Sequence, residues 1–585
     1  MFRLFKHLRG KDWLFMLIIL CITVFSVYLM LTMPDYMNKI TSLVQTGGST
    51  SEILSNGGIM LLIAIGELVC TVIIGFLTAR VASSFSFKLR SEIYNKVTSF
   101  SMEEIGRFST ASLVTRTTND VTQVMMVIAM GLQAMLRAPI ILIWAFVKIA
   151  NKGSQWSVVT ICAAAFVIIL VGSNILLVTP KFKKIQKLTD DLNRVVRENL
   201  TGVRVVRAYN AEEYQEKQFD VPNTAITRNH LFTGRVMAYL MPGMQFVMSG
   251  MSLAVYWLGA YIINSAGVQD RIGLFSNLVV FMAYSVQVVF SFMMLAMIFI
   301  MVPRAQVSAE RINAVLAMKT KIHDGDMENV PDLKGKVEFK NVYFNYPDAE
   351  EYVLETILFT GEPGETVAFI GSTGSGKSTL INLVPRFYDA TEGQVLVDGV
   401  DVKEYKQRNL HDKIGYVSQK AILFKGTIAS NVDYGANERG KATEDEILRA
   451  MNIAQGRDII EKEEKGIQAE VAQGGSNFSG GQKQRISIAR AICSDPEIFI
   501  FDDSFSALDY KTDKVLRAEL KKNTTNATTL VVAQRIGTVK DADKIVVLDE
   551  GKMVGIGTHE ELLKNCEVYQ QIALSQLSGE ELANA

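Results

Sequence analysis

Charge and thiols are what this 585-residue chain has little of: 21% of its residues are Asp, Glu, Lys or Arg, and five are cysteine. Soluble domains carry roughly 25% charge, and Phe (30) and Met (25) are plentiful here, so some segments are expected to face lipid. The cysteines, Cys21, Cys70, Cys162, Cys493 and Cys566, show no C-x-x-C spacing and have no histidine cluster beside them. That excludes a zinc site or a disulfide scaffold and leaves small buried hydrophobes in a reducing or lipid setting. Repeats and low-complexity tracts are absent, and with 49% hydrophobic residues disorder and collagen are excluded as well. Net charge is lacking too, at 60 basic against 60 acidic residues, which argues against a nucleic-acid partner. That neutrality is a cancellation: residues 1–335 hold 31 Lys and Arg against 21 Asp and Glu, and residues 336–585 hold 29 against 39.

Long apolar runs are what the first half has in their place. Trp13 to Met33 is uncharged over 21 residues, about 32 Å as a helix, enough to cross a hydrocarbon core. It lacks the short apolar stretch and A-x-A-like site of a cleaved signal. Five further runs follow: 57–79 interrupted by Glu67, 121–147 interrupted by Arg137, 153–180, 236–269 and 272–303. Segments 80–120 and 181–235 carry six and eleven Lys and Arg, whereas 34–56, 148–152 and 270–271 carry one, two and one. The positive-inside rule therefore predicts a multi-pass protein of the cell membrane, with both termini and both long loops cytoplasmic. Each long loop reads as a helical extension, a break and a returning helix: 80–100 and 113–123, then 181–207 and 212–235. Phe2, Phe5 and Leu8, alternating with Arg3, Lys6 and Arg9, predict a short interfacial helix before the first span.

The expected organisation is a membrane domain over 1–303, a linker over 304–335 marked by Gly325, Pro331 and Gly335, an α/β domain over 336–575, and a tail over 576–585. In the α/β part, short β-rich runs (337–339, 366–370, 394–397, 498–501, 529–533, 544–548) alternate with helical stretches, the pattern of a largely parallel sheet.

Gly371, Ser372, Thr373, Gly374, Ser375, Gly376, Lys377 and Ser378 match G-x-x-x-x-G-K-[ST] after one of these strands, with Thr379 following. Glycines let successive N–H groups turn toward phosphate oxygens at a helix N-terminus, Lys377 adds a point charge, and the Ser378 hydroxyl can ligate Mg2+. About 125 residues on, an apolar strand ends in Asp502, the type of carboxylate that holds Mg2+ in phosphate-binding ATPases. Between them, Ser479, Gly480, Gly481 and Gln482 open a helix and offer a second anion-binding N-terminus. One ATP does not need two cradles from one chain, so two copies of the fold are expected to sandwich nucleotide.

Phosphate loop, Ser479 to Gln482 and Asp502, in that order, resemble the nucleotide-binding domain of ATP-binding cassette (ABC) proteins. Six spans with two long loops ahead of it are similar to an ABC exporter half-transporter over nearly the whole chain. The resemblance implies a polytopic α-helical membrane domain fused to an α/β P-loop domain, with ATP and Mg2+ as cofactors. It implies that Tyr346 stacks on adenine, that Gln419 contacts Mg2+ and the attacking water, and that 506–509 communicates between two sites. Phe478 replaces the usual Leu before Ser479. Where the family has a catalytic glutamate this chain has Asp503, and where it has a switch histidine this chain has Gln534. A carboxylate one methylene short sits about 1 Å from where water needs it, a misplacement that can cost about 100-fold. Residues 469–475 also lack the second acidic residue and the Arg usual before the signature. Together these departures resemble the degenerate-site subunit of bacterial heterodimeric multidrug exporters. The implied partner is a second half-transporter with Glu and His at these positions, and the implied cargo a small hydrophobic or amphipathic compound moving through membrane lipid. A homodimeric exporter of lipid or peptide, and an ATP-binding regulatory subunit without transport, remain as alternatives.

In the spans, Met237, Met241, Met244, Met248 and Met251 recur at helical spacing, as do Met294, Met297 and Met301. Thioether faces suit a cavity that repacks around varied apolar ligands, with Met241, Met244, Met248, Met294 and Met297 as lining; the same spacing also serves ordinary helix packing. Glu67 and Arg137 are expected to face a cavity or partner, or to pair with each other, or Arg137 to snorkel. Segments 100–108 and 207–212 occupy the positions of the family's coupling helices.

Overall fold

The computed structural model describes residues 2–150, 154–267, 270–327, 334–347, 349–435 and 440–576. Lys152, Pro331 of the expected linker and the expected tail beyond Gln576 lie outside the described residues. The chain divides into two compact units, one of residues 1–99 and 108–318, the other of residues 100–107 and 319–585.

The first unit is helical throughout because a backbone in hydrocarbon has no water to bond and must satisfy itself within each segment. Its helices are α1 (Gly10–Thr46), α2 (Thr50–Thr98), a third span over Thr110–Ala150, α4 (Ser154–Thr201), the short α5 (Val203–Ala208), α6 (Glu212–Ala238), α7 (Leu240–Ser265) and α8 (Arg271–Leu316). Six helical stretches are long and apolar enough to cross a membrane, so the chain is a multi-pass membrane protein. At 49 residues, α2 runs about 73 Å, more than twice a hydrocarbon core of about 30 Å, and its polar end projects beyond it. The third span changes pitch twice, through π-helical stretches at Arg116–Asp120 and Val127–Gly131. Before α1, Phe2–His7 forms the expected short helix, of 3-10 type, with Leu4 and the following Leu8 buried.

Several polar side chains inside this unit are matched across helices. The Tyr284 hydroxyl on α8 lies 2.8 Å from Asp35 Oδ1 and 3.0 Å from the Leu31 carbonyl on α1, and Lys148 holds the other Asp35 oxygen at 2.6 Å. Arg137 donates to Glu67 at 2.8 Å, so the two ionisable residues that interrupt the apolar runs pair with each other. The methionine set divides. Met244 and Met251 are buried in a core with Trp156, Phe281 and Tyr284, Met248 packs against it, and Met241 is 65% exposed. Met294 and Met297 instead line a cavity with Met130 and Met301.

In the second unit a ten-stranded sheet supports the phosphate loop. Its parallel limb comprises β1 (Thr366–Gly371), β2 (Ile414–Val417), β3 (Ile498–Asp502), β4 (Thr528–Val532) and β5 (Lys544–Asp549), in spatial order β5-β1-β4-β3-β2. All five residues of β3 are buried, as a strand covered on both faces requires. The other limb is antiparallel, pairing Val337–Phe344 with Leu354–Gly361 and with Glu392–Val397, so the sheet is less parallel than the sequence pattern suggests. Val337–Phe344 and Leu354–Gly361 are joined by a connection too short for a helical crossover, which antiparallel pairing permits. The tip of the first long loop, α3 (Met102–Arg107), clusters with this second unit: Glu103 pairs with Lys321 at 2.7 Å, and Glu104 accepts from the Lys321 N–H at 3.1 Å. By contrast α5, at the second tip, belongs to the first unit and exposes Val205 and Tyr209 flanks it.

Replacing either Glu67 or Arg137 by Leu strands a charge in an apolar setting, whereas replacing both does not. Thermal unfolding of the detergent-solubilised protein should give a double-mutant coupling energy of about 1–3 kcal/mol, with the double variant more stable than either single one.

Candidate functional site

Ligands of open α/β sheets sit beyond the carboxyl ends of the parallel strands, and there the sequence motifs converge. β1 runs into the loop 371–376, which leads into the short helix α9 (Lys377–Ile381). Gly376 has φ +93°, and a Cβ there would lie 2.6 Å from Leu354 Cδ2. At Gly371 the constraint is close approach, since a Cβ would lie 2.0 Å from the Leu548 carbonyl oxygen. The Lys377 ammonium is folded over this loop, donating to the carbonyls of Gly371 (2.9 Å) and Ser372 (2.6 Å) and to Ser375 Oγ (3.2 Å). Among the described residues no carboxylate pairs with it directly, so its charge stays within reach of a phosphate. Burial lowers its pKa, with Asp503 and Asp502 opposing.

Ser378 Oγ donates to Asp502 Oδ1 at 2.7 Å, joining the two expected metal-holding groups across β1 and β3. Asp503 follows with φ +46°, a left-handed conformation that turns its side chain off the strand path. Its Oδ2 accepts from Gln534 Nε2 at 3.0 Å and from Gln419 Nε2 at 3.3 Å. The two unusual residues, Asp503 and Gln534, thus touch, and Gln419 joins them on the same oxygen. A backbone bond from the Asp503 N–H to the Val532 carbonyl (3.0 Å) and one from Ser506 Oγ to the Asp503 carbonyl (2.8 Å) fix the turn. A phosphate-facing loop, one lysine, a hydroxyl and two carboxylates fit MgATP: N–H groups and Lys377 for phosphate oxygens, Ser378, Asp502 and Gln419 for the cation.

Tyr346 stands at the edge of this loop, its hydroxyl 3.0 Å from Thr379 Oγ1 and its ring edge-on to Tyr388 at 5.3 Å. Tyr388 had no signal in the sequence; it becomes visible only as a neighbour of Tyr346.

Ser479 caps α10 (Gly480–Cys493), accepting from the Gln482 N–H at 3.3 Å while Gln482 Oε1 accepts from the Ser479 N–H at 2.8 Å. Ser479 and Gly480 are exposed, and among the described residues no hydrogen bond joins Ser479, Gly480, Gly481 or Gln482 to the phosphate loop. Phe478 is buried in the apolar core, so the larger ring in place of Leu is accommodated there. Asp509 caps the helix α11 (Tyr510–Asn523) through the Thr512 N–H at 3.0 Å.

Comparison with known proteins agrees with this geometry. Residues 16–303 match the family described as ABC transporter transmembrane region, and residues 354–506 the family described as ABC transporter. The chain is 38% identical to an uncharacterized ABC transporter ATP-binding protein of Mycobacterium tuberculosis, over 90% of each chain. It is 33% identical to YfiB of Bacillus subtilis, again over 90% of each. An ATP-dependent lipid A-core flippase of Pseudomonas aeruginosa is 31% identical over 83% of this chain and 79% of its own length. Among solved structures, a bacterial Atm1-family ABC exporter with ATP bound superposes with a TM-score of 0.77 at 22% identity, covering 97% of this chain and 98% of that one.

Burial raises the pKa of Asp502, Ser378 opposing and Asp503 adding to the rise, and burial likewise raises Asp503 against the hydrogen bonds from Gln419 and Ser506. The folded domain therefore holds these protons more tightly than the unfolded chain. The stability they contribute is full below the unfolded carboxylate range and is lost as pH rises through the folded values. Asp502→Asn keeps an acceptor for Ser378 and removes the titration. Nucleotide-free protein carrying it should melt higher than wild type at pH 7.5 and alongside wild type near pH 4, read by differential scanning fluorimetry.

Proposed function

Since this chain belongs to the ABC transporter family and carries the exporter fold, its membrane and ATP-binding parts in one polypeptide, we propose that it is one half of a heterodimeric exporter of hydrophobic or amphipathic compounds, holding ATP at its own phosphate loop and hydrolysing it slowly. The observation that carries this is the arrangement at Asp503, whose Oδ2 is shared by the side-chain amides of Gln534 and Gln419.

In this reading the N–H groups of 371–376, Lys377, Ser378 and Asp502 bind MgATP, and Tyr346 flanks the base. ATP supplies the binding energy that closes paired domains, and its terminal phosphoryl group is the one passed to water. A general base must reach the attacking water within hydrogen-bond distance. Asp503 is a methylene shorter than Glu, and the oxygen it would offer already accepts two amide donors. Gln534 has no titratable proton and spends its N–H on Asp503. Binding is thereby preserved while proton removal is impaired.

Ser479 to Gln482, capped and exposed at the N-terminus of α10, serve the phosphate loop of the partner chain, where Glu and His would carry turnover. Domains 1–303 and 336–575 act as the translocating and nucleotide-binding halves, and both termini lie in the cytoplasm. A second reading, translocation of a lipid, is favoured by the relatives named as flippases.

Asp503→Glu combined with Gln534→His should raise hydrolysis at this chain's own site by about 100-fold, measured as single-turnover phosphate release from the purified full-length protein. An unmodified chain that already turns over at the rate of the double variant refutes the proposal.

A further inference from the structure

Gln534 and Arg535 lie between two anchored stretches of chain. On one side β4 ends at Val532, and the Ala533 N–H donates to the Phe369 carbonyl of β1 at 3.1 Å. On the other, the chain enters α12 (Ile536–Val539), a single turn. A helix this short does not hold itself together in water, and the N–H groups of its first turn have no partner within it. Arg535, the residue that precedes it, offers no side-chain cap.

The missing partner comes from another helix. Gln576, on α13 (Glu567–Gln576), accepts from the Ile536 N–H through Oε1 at 2.8 Å and donates through Nε2 to the Gln534 carbonyl at 2.8 Å. One carboxamide therefore grips the main chain at two points, on both sides of Arg535. The helix that carries it is itself fixed. Tyr569 and Ala573 of α13 are fully buried, in the same apolar core as Ile536 and Val539. The Tyr569 hydroxyl also lies 2.6 Å from His559 Nδ1, which ties α13 to the segment before it.

Fixing the main chain at 534 fixes where its side chain starts. Gln534 Nε2 stands 3.0 Å from Asp503 Oδ2, the oxygen that Gln419 also reaches. A relay of hydrogen bonds thus runs from Gln576 through the main chain and side chain of Gln534 to Asp503. Because the grip is on backbone atoms, it does not depend on which side chain stands at 534.

We infer that Gln576 is a positioning residue for the nucleotide site: the last turn of α13 holds the loop 534–536 so that the side chain at 534 meets Asp503 and, beyond it, the terminal phosphate of ATP. The inference rests on the reading of Asp503 and Gln534 as the groups that face that phosphate.

The test compares the purified full-length protein as it stands with its Asp503→Glu/Gln534→His variant, each carrying Gln576, Gln576→Met or Gln576→Glu. Met keeps the length and helix propensity of Gln and forms neither bond, whereas Glu keeps the acceptor for the Ile536 N–H and loses the donor. Hydrogen exchange of the peptide that holds Ile536, followed by mass spectrometry, reads the grip itself. Gln576→Met should speed exchange there about tenfold and slow single-turnover phosphate release about tenfold in both backgrounds, with MgATP affinity within about twofold of the parent. Gln576→Glu should fall between the parent and Gln576→Met in both readings. Unchanged exchange, or faster exchange with an unchanged rate, overturns the inference. So does a rate that falls only in step with MgATP affinity or melting temperature, which is what a merely structural contact gives. Gln576→Glu equal to Gln576→Met in both readings overturns the two-point grip. An unmodified chain that turns over fast refutes the slow-site reading instead, and leaves the Gln576 ratios measurable in both backgrounds.

Discussion

One carboxylate oxygen, Asp503 Oδ2, accepts two side-chain amides, and the proposed behaviour of the nucleotide site depends on it. Three segments far apart in the chain meet there: Asp503 directly after β3, Gln534 two residues after β4 and Gln419 two residues after β2. They meet because the parallel limb sets β2, β3 and β4 side by side with their carboxyl ends on one edge. A buried carboxylate needs partners, and two neutral amides supply them without bringing a proton donor or acceptor that could cycle. In the proposed reading the arrangement suits a site that holds nucleotide, since Lys377, Ser378 and Asp502 stand beside it as the phosphate- and metal-binding groups.

The membrane unit obeys a different constraint, the absence of water, and resolves it in the same manner. Charged groups in the spans find counterparts on other helices: Glu67 pairs with Arg137, and Asp35 with both Lys148 and Tyr284. Once those pairs are formed, the described residues that line the cavity beside Met294 and Met297 carry no charge. Charge pairing between helices thus shapes the chemistry of the space between them.

Much of this was legible in the sequence. The six spans, the phosphate loop on its strand, Asp502 at a strand end and Ser479 at a helix start each follow from local patterns: run length, glycine spacing, an apolar run with a terminal carboxylate, a capping residue. What the sequence did not reveal requires side chains from distant segments to meet. Asp503 and Gln534 read as two separate departures, and no periodicity announces that they share a hydrogen bond. The methionine stripe read as one surface, yet helix rotation buries Met244 and Met251 in packing and leaves Met294 and Met297 at a cavity. The antiparallel limb escaped because strands such as 354–361 alternate buried and exposed residues irregularly, with bulges in their register. Glu67 and Arg137 were each visible as anomalies in apolar runs, and their pairing was one of the readings open, beside a cavity-facing role and snorkelling of Arg137.

The most direct test of a binding-competent, slowly hydrolysing site is the chemical state of the nucleotide it holds during turnover. Membranes containing the working transporter would be supplied with radiolabelled 8-azido-ATP, chased with unlabelled ATP for many turnovers, irradiated, and digested to isolate the peptide bearing Tyr346. The account predicts that this peptide carries intact triphosphate that outlasts the chase. Diphosphate there, exchanging at the rate of turnover, would contradict it.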